Sequence, residues 1–530
     1  MEADAVKRGG SPNGSSIAPH SGGGSLLRYS PALIFFIVVI ADVGRWADPD
    51  LWGHIRFGQL VLALGHAPLR NSYSYSAPGY SWHDPEWLAE AVLAIFYDKF
   101  GIAGLKLMKF ACTALTVVLM ASAAAVSRAS VRIQLVVLVV AGVALEPVMQ
   151  FRPQLFTFVL LSALMALLAR DSYGRRDHWL WLIVPIFVLW ANTHGAVAAG
   201  LAALVLYTGV RAFEDLAGGR GLRRVARLGV LTVVSAAATL ANPYGFSNWL
   251  AVGYAINNPL TREYVSEWQP LVVKMVELWH QSPGTAINFA AVIALPVALA
   301  ICFAARPRGG DLPLVAIGAM MAVGAFLSLR NMPLVVIVTV APLCRHAGLA
   351  LSGTRWGRGA DTAASRSMRN EALVGAIALL LAFETGLFSR RLRVQFALPK
   401  GAVDFMERHG LTGNVLSDFA WGDYLIWRMA PRSRVFIDGR YDFAYPMPVI
   451  VDYFDLYFAH PRAATVLRSY PHDFVLIDPS APMRRLVAQA EGWRLVYSDP
   501  NAILFARAGT PATRLEGVPV RGTIQPAFFP

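Results

Sequence analysis

The chain has 530 residues, 55% of them hydrophobic and 15% charged, and a mean hydropathy of +0.47. A wholly soluble fold of this size needs more polar surface to cover its core, so the composition excludes one. The formal net charge of +13 falls in short clusters between apolar runs, the pattern of membrane topology and not of a nucleic-acid-binding face.

Residues 1–29, rich in Gly, Ser and Pro with Lys7, Arg8 and Arg28, read as a disordered cytoplasmic tail. Apolar runs follow near 30–47, 102–126, 132–149, 153–169, 179–193, 195–213, 225–241, 285–305, 312–329, 332–346 and 371–388. At roughly 20 residues per crossing these make about eleven spans, and residues 30–388 read as a transmembrane domain. Cys112, Cys302 and Cys344 lie in or beside these runs and read as buried thiols, with no disulfide framework.

The loops alternate. Arg128 with Arg132, Arg170 with Arg175 and Arg176, the group Arg220 to Arg227, Arg306 with Arg308, and the group Arg345 to Arg369 make one set basic. The positive-inside rule puts that set and the N-terminus in the cytoplasm. The other set is then extracytoplasmic: the loop 48–101, the turns near 146–154 and 192–195, the segment 242–284, the turn at Arg330 and Asn331, and everything beyond residue 389. Within the first loop, "PEWLAEAVLAIFYDKFG" places Leu88, Val92, Ile95 and Phe96 on one helical face with Glu90 and Asp98 away from it, as in a helix lying on a membrane surface. Trp46, Trp52, Trp82 and Trp87 read as interfacial anchors.

Residues 389–510 have a different character. "GNVLSDF", "SRVFIDGR", "HDFVLIDPS", "WRLVYSD" and "NAILFAR" are short β-like runs, with helix-like stretches at Ala402–His409, Tyr424–Met429 and Ala481–Glu491 between them. The alternation predicts an extracytoplasmic α/β domain, followed by a C-terminal tail at 511–530. No glycine-rich phosphate loop stands at a strand-to-helix junction there.

Polar residues collect on the extracytoplasmic side. Asp48, Asp50 and His54 follow the first run; His83, Asp84 and Glu86 stand in "WHDPEWL"; Glu146, Arg152 and Gln154 occupy one turn; Asn192 and His194 another; Glu267 and Arg330 lie further on. Ionisable groups at the membrane edge face water or one another, so their shared side predicts one polar cavity. Asp48 and Asp50 also suit a helix N-cap, and Glu146 is a local salt-bridge partner for Arg152. Asp438, Arg440 and Asp442, in "FIDGRYDF", are either turn chemistry or a contact to an acceptor.

A first span followed by spaced acids, a long outer loop with a surface helix, many further spans and an outer C-terminal domain together resemble the GT-C superfamily of glycosyltransferases. That group includes protein O-mannosyltransferases and lipid A aminoarabinose transferases, and the matching residues here are Asp48, Asp50, His54 and Gly58. Pro49 separates acids that are often adjacent in such enzymes. The chain is also similar to a large group of uncharacterised bacterial membrane proteins with a "DPDLWWH"-like opening, here "DPDLWGH", and a tail like "GDYLIW" and "VFIDGR".

The resemblance implies transfer of a sugar, with inversion, from a polyprenyl-phosphate carrier to a glycan, lipid or protein acceptor on the outer face of a bacterial inner membrane. Such chemistry needs a base for the acceptor hydroxyl and fixed positive charge for the departing phosphate. Asp50 is the candidate base, with Asp48 orienting it or joining it in holding a divalent cation such as Mg or Mn. Arg330, with Arg152 as competitor, is the candidate phosphate ligand, and His54, His83, Asp84, Glu86 and His194 are candidate substrate contacts. A transporter or lipid flippase, or a non-catalytic envelope assembly protein, would also gather polar groups on one side.

Overall fold

The computed structural model describes residues 46–174, 178–219, 222–271, 273–275, 283–306, 311–357, 392–394, 396–515 and 528–529. The predicted cytoplasmic tail, nearly all of the first predicted span and the last predicted span at 371–388 lie outside the described residues.

The helices in chain order are α1 (Leu51–Leu64), α2 (Trp87–Val126), α3 (Val131–Leu145), α4 (Gln154–Tyr173), α5 (Ile183–Ala191), α6 (Val197–Ala217), α7 (Leu222–Ala238), α8 (Ser247–Asn257), α9 (Pro259–Tyr264), α10 (Pro283–Ala305), α11 (Leu312–Leu327) and α12 (Met332–Ala350). Among the described residues six helical segments are long and apolar enough to cross a membrane: Trp87–Val126, Val131–Val148, Gln154–Tyr173, Val197–Ala217, Ala286–Ala305 and Leu329–Ala350. Trp179–Ala191 and Leu312–Leu327 are shorter apolar helices. The run read as a span at 225–241 forms α7, which gives its first turns to Arg223, Arg224 and Arg227 and is not among them.

α2 is two helices in one. Gly101 breaks it with φ 60° and ψ −146°, a conformation open to glycine because it has no Cβ. The part before Gly101 is the predicted surface helix, but it presents its faces differently from the expectation. Ala89, Leu93 and Ala94 are buried together with Glu90, while Leu88, Val92 and Phe96 are half-buried and Ile95 is exposed. Glu90 is covered because α1 lies across it. A Cβ on Gly58 would stand 2.0 Å from the Glu90 carbonyl oxygen, so only glycine permits that approach.

The basic loops meet at one end of the bundle, where Arg132 Nη1 donates to the Arg355 carbonyl at 2.9 Å and Ser130 Oγ to that of Trp356 at 2.5 Å. At the other end sit α1, the loop 65–86 and the C-terminal segment.

That segment contains α13 (Lys400–Arg408), β3 (Asn414–Ser417), α14 (Gly422–Met429), β4 (Arg434–Val435), α15 (Met447–Tyr457), α16 (Ala463–Ser469), β5 (Phe474–Ile477), α17 (Arg484–Gln489), β6 (Trp493–Ser498) and β7 (Ile503–Arg507). The sheet order is β4-β3-β5-β7-β6, parallel among β4, β3 and β5 and antiparallel for β7 and β6. All five β-like runs read from the sequence are strands here; α15 and α16 were not anticipated. β5, buried at every position, reads Phe-Val-Leu-Ile without alternation because it is covered on both faces.

A second sheet joins distant parts of the chain. β1 (Trp46–Ala47) pairs in parallel with β2 (Leu392–Val394), which pairs antiparallel with β8 (Phe528–Phe529), two residues of the stretch read as a tail. Phe529 packs on Trp52 with ring centroids 4.9 Å apart. Trp52 and Trp82 are therefore core residues, at 0% and 1% exposure, and not interfacial anchors. The loop 65–86 is likewise docked on the sheet. Tyr75 N–H donates to the Val435 carbonyl at 3.2 Å and Val435 N–H to that of Tyr73 at 3.0 Å, while Asn71 and His83 bond Ala444 and Phe443.

Candidate active site

The docking of loop and sheet against the helix ends leaves a cavity of about 570 Å³. Asp48, Asp50, His54, Asp84, Glu86, Arg152, His194 and Arg330, expected from the sequence, all line it. His83 does not: its ring rests on Tyr244 at 5.5 Å, outside the lining residues.

Asp50 stands at the N-cap of α1 but makes no side-chain capping bond. Its carboxylate turns to Arg152, whose Nη2 donates to Oδ2. Arg152 Nε lies 2.7 Å from Asp48 Oδ1, an oxygen that also accepts the Asp50 N–H at 2.9 Å. The third nitrogen, Nη1, donates to Glu267 Oε1 at 2.5 Å. One guanidinium thus holds three carboxylates, a use its planar fork allows and a lysine would not. Glu146, expected beside Arg152, instead accepts from Asn288 at 2.7 Å.

Arg330 is held more loosely. Its Nη1 is 3.8 Å from Glu267 Oε2, its guanidinium lies 5.3 Å over the Trp268 ring, and its side chain is 32% exposed. The short 3-10 turn between α11 and α12 fixes it at the helix ends.

Deeper in, His54 Nδ1 is 2.8 Å from Glu90 Oε1 and 3.9 Å from Glu86 Oε2. His194 is oriented by its surroundings: Thr157 Oγ1, which accepts from Trp190 Nε1 at 2.8 Å, lies 3.0 Å from His194 Nδ1, and the Ala196 N–H donates to that nitrogen at 3.1 Å. An accepting Nδ1 leaves the ring proton on Nε2, which faces Glu86 Oε1 at 3.3 Å. The buried carboxyl groups of Asp84 and Glu90 are hydrogen-bonded to each other.

Burial raises the Asp50 carboxyl; Arg152 partly offsets this, the Asp48 and Glu267 charges add to it, and the result is about 7. Glu86 is pushed up to about 8, chiefly by burial. Burial, with the charges of Arg152 and Arg330, lowers His54 to about 3, so this imidazole is neutral. Burial also raises Glu267, but Arg152 and Arg330 outweigh it and hold that carboxylate below its ordinary value.

His54, Glu86 and Glu90 form a cluster whose ligand atoms all lie within 4.8 Å of one another. The carboxylates of Asp48 and Asp50, expected to hold a divalent cation, engage the Arg152 guanidinium here, and a group that could hold a metal ion stands one turn further along α1.

The C-terminal domain supplies the far wall with Phe419, Asp423, Gly439, Arg440, Tyr441 and Asp442. Asp442 accepts from Asn258 at 2.5 Å and from Thr261 Oγ1 at 2.9 Å, anchoring the turn after β4 to α9 and the residue before it. Sequence reasoning missed Glu90, Asp423, Thr157 and Trp268. Only Asp423 carried a signal, its place in "GDYLIW".

In sequence the chain matches no protein-family model and no curated protein. In structure it is similar to the oligosaccharyltransferase of Archaeoglobus fulgidus, with a TM-score of 0.52 and 13% identity over 93% of this chain and 75% of that one. The fold is GT-C. The arabinofuranosyltransferase AftD from Mycobacteria shares it, with a TM-score of 0.51 and 14% identity over 91% of this chain, which spans 40% of that protein's length. Within this GT-C fold the cavity lies where the loop 65–86, the helix ends and the C-terminal sheet converge.

Proposed function

We propose that the chain is a membrane-embedded glycosyltransferase that moves a sugar from a polyprenyl-phosphate donor to a glycan, lipid or protein acceptor. The site faces the extracytoplasmic side of a bacterial inner membrane, with the basic loops and the N-terminus in the cytoplasm. The observation that carries this reading is the presence of Asp50, with its raised pKa, and Arg330, a loosely engaged cation, in one cavity of a GT-C fold. Polar groups concentrated at one end of the bundle suit chemistry at the membrane surface better than passage through the midplane.

Asp50 is the base. A carboxylate whose pKa lies near the working pH is both ionised and basic enough to take a hydroxyl proton as the new bond forms. Asp48 and Arg152 fix its orientation. Arg152 is saturated by its three carboxylates, which leaves Arg330 to receive the phosphate. Charge builds on that phosphate as the glycosidic bond breaks, so a preplaced guanidinium lowers the barrier more than it tightens ground-state binding. A single displacement with no covalent intermediate gives inversion.

The deep cluster suits a divalent cation. Two carboxylates and one imidazole favour Mn over Mg. When bound by His54, Glu86 and Glu90, such an ion supplies positive charge for phosphate or sugar oxygens.

The test is a gene deletion complemented by wild type or by Asp50→Asn, with mass spectrometry of envelope glycans and lipids. The expected result is loss of one sugar unit in the deletion, restored by wild type and not by Asp50→Asn at equal expression. An unchanged profile in the deletion rejects the enzyme reading.

A further inference from the structure

Asp423 has no role in the scheme above, yet the fold goes to some length to place it. It stands in the first turn of α14, is 4% exposed, and lines the cavity. Two glycines from distant parts of the chain make room for it. A Cβ on Gly53 of α1 would meet its Cγ at 2.5 Å, and a Cβ on Gly439 would meet its Oδ2 at 2.6 Å. The same point above Gly439 lies 3.2 Å from Asp50 Oδ1. The two carboxyl groups, one from each end of the chain, therefore flank a bare stretch of backbone with no side chain between them.

Asp423 is also incompletely bonded. The Gly439 N–H serves its carboxyl group, but Oδ1 is buried with no partner. A buried polar atom left in this state costs stability, and it marks a place where a ligand completes the bonding.

We propose that Asp423 grips the acceptor hydroxyl opposite Asp50 as a hydrogen-bond donor. The proposal rests on the reading of Asp50 as base. An alcohol oxygen held between the two groups donates its proton to Asp50 Oδ1 and accepts a bond from the O–H of the Asp423 carboxyl. In the transfer step the hydroxyl proton passes to Asp50, the alcohol oxygen bonds to the anomeric carbon, and the bond from that carbon to the phosphate oxygen breaks. The electron pair leaves with the polyprenyl phosphate, and Asp423 keeps its proton.

The charges around Asp423 favour its neutral form. Asp50 faces it from α1, Glu90 from α2, and Asp438 with Arg440 from the turn after β4. Arg440 is already committed to Asp438 through bonds of 2.8 and 2.6 Å. Burial, followed by the charges of Asp438 and Asp50, pushes the Asp423 carboxyl well above its ordinary range.

The experiment compares Asp423→Asn with Asp423→Ala in the purified full chain. The donor is the polyprenyl-phosphate-sugar fraction of the deletion strain and the acceptor is its envelope material. An asparagine can keep both bonds, its carbonyl taking the Gly439 N–H and its amide donating to the hydroxyl. Asp423→Asn is expected to stay within about threefold of wild type, while Asp423→Ala raises the acceptor KM about tenfold, the loss of one hydrogen bond, with the donor KM unchanged. The proposal is overturned if Asp423→Asn is as impaired as Asp423→Ala, which would require an ionised carboxylate, or if Asp423→Ala leaves the acceptor KM unchanged. Should Asp423→Ala fail to fold by thermal unfolding, Asp423→Asn alone decides. Transfer that survives Asp50→Asn removes the base reading instead, and this proposal with it.

Discussion

Arg440 lies over the ring of Trp82, with its guanidinium carbon 4.4 Å from the centroid, so the turn after β4 is held by the loop 65–86. Phe57, Tyr73 and Tyr445 complete the aromatic surroundings at 4.8, 5.3 and 5.9 Å. Its Nη2 also donates to Asn71 Oδ1 at 2.9 Å. Removing this cation leaves Asp438, which is 0% exposed, without its charged partner. Breaking a buried pair from one side costs about 3–5 kcal/mol, so Arg440→Ala should lower the unfolding temperature of the detergent-solubilised protein markedly. Arg440→Lys should not restore it, because an ammonium offers neither the flat face nor the fork. A thermal scan matching wild type for either variant would show that the clasp is not structural.

The pH dependence of transfer follows from Asp50. Its carboxyl is raised to about 7 and it works only when ionised, so kcat/KM should fall as pH drops through about 7. Glu267→Gln removes one of the charges that raise Asp50 and leaves Arg152 more fully engaged with it, so the acid limb should move to lower pH. Stability runs the other way. The folded state holds this proton more tightly than the unfolded chain between 3.8 and about 7, so the contribution of Asp50 to stability declines as pH rises across that window. Rate profiles of wild type and Glu267→Gln over this range check the first two statements, and melting temperatures the third.

These expectations rest on residues that differ in how far sequence reveals them. The apolar runs and the five β-like runs were legible because burial imposes a period or a length on the local sequence. The polar turns were legible because charge at the membrane edge is costly without a reason. Glu90 was not, since on a helical wheel it belongs to the solvent side of a surface helix; its burial depends on α1 crossing at Gly58, a tertiary event. The partner of Arg152 was misread for the same reason. Glu146 is near in sequence, whereas Asp48, Asp50 and Glu267 come from elements that only the fold brings together. The sheet of β1, β2 and β8 has two or three residues per strand, too few for any pattern to show.

The two arginines of the site should fail differently. Arg330 has one distant acidic partner and a third of its side chain exposed, so Arg330→Ala should leave folding intact. It should lower kcat by about two to three orders of magnitude, as expected when a preorganised charge at the leaving group is lost. Arg152→Ala removes the guanidinium that binds Asp48, Asp50 and Glu267 together and should destabilise the protein by about 3–5 kcal/mol. Expression level, thermal unfolding and kcat, measured side by side, distinguish the two. Equal melting temperatures with equal loss of activity would mean that Arg152 is also a substrate ligand.

Gly58→Ala tests the route by which the fold builds the deep cluster. The added methyl would sit 2.0 Å from the Glu90 carbonyl oxygen and 2.9 Å from the Ala94 Cβ, so α1 and α2 must separate. Both neighbours belong to the helix α2 and cannot swing aside as the tip of a flexible side chain could. Overpacking of this kind costs about 1–3 kcal/mol. The separation also pulls His54, on α1, away from Glu86 and Glu90 beside it, and the present 2.8 Å contact between His54 and Glu90 should open. The variant should therefore melt at lower temperature and bind Mn more weakly than wild type, as read by the paramagnetic resonance of the free ion. Glu90→Gln supplies the comparison, because it should weaken Mn binding while leaving the helix crossing in place. Lower stability in Gly58→Ala with unchanged Mn affinity would separate the crossing from the cluster and remove His54 as a ligand.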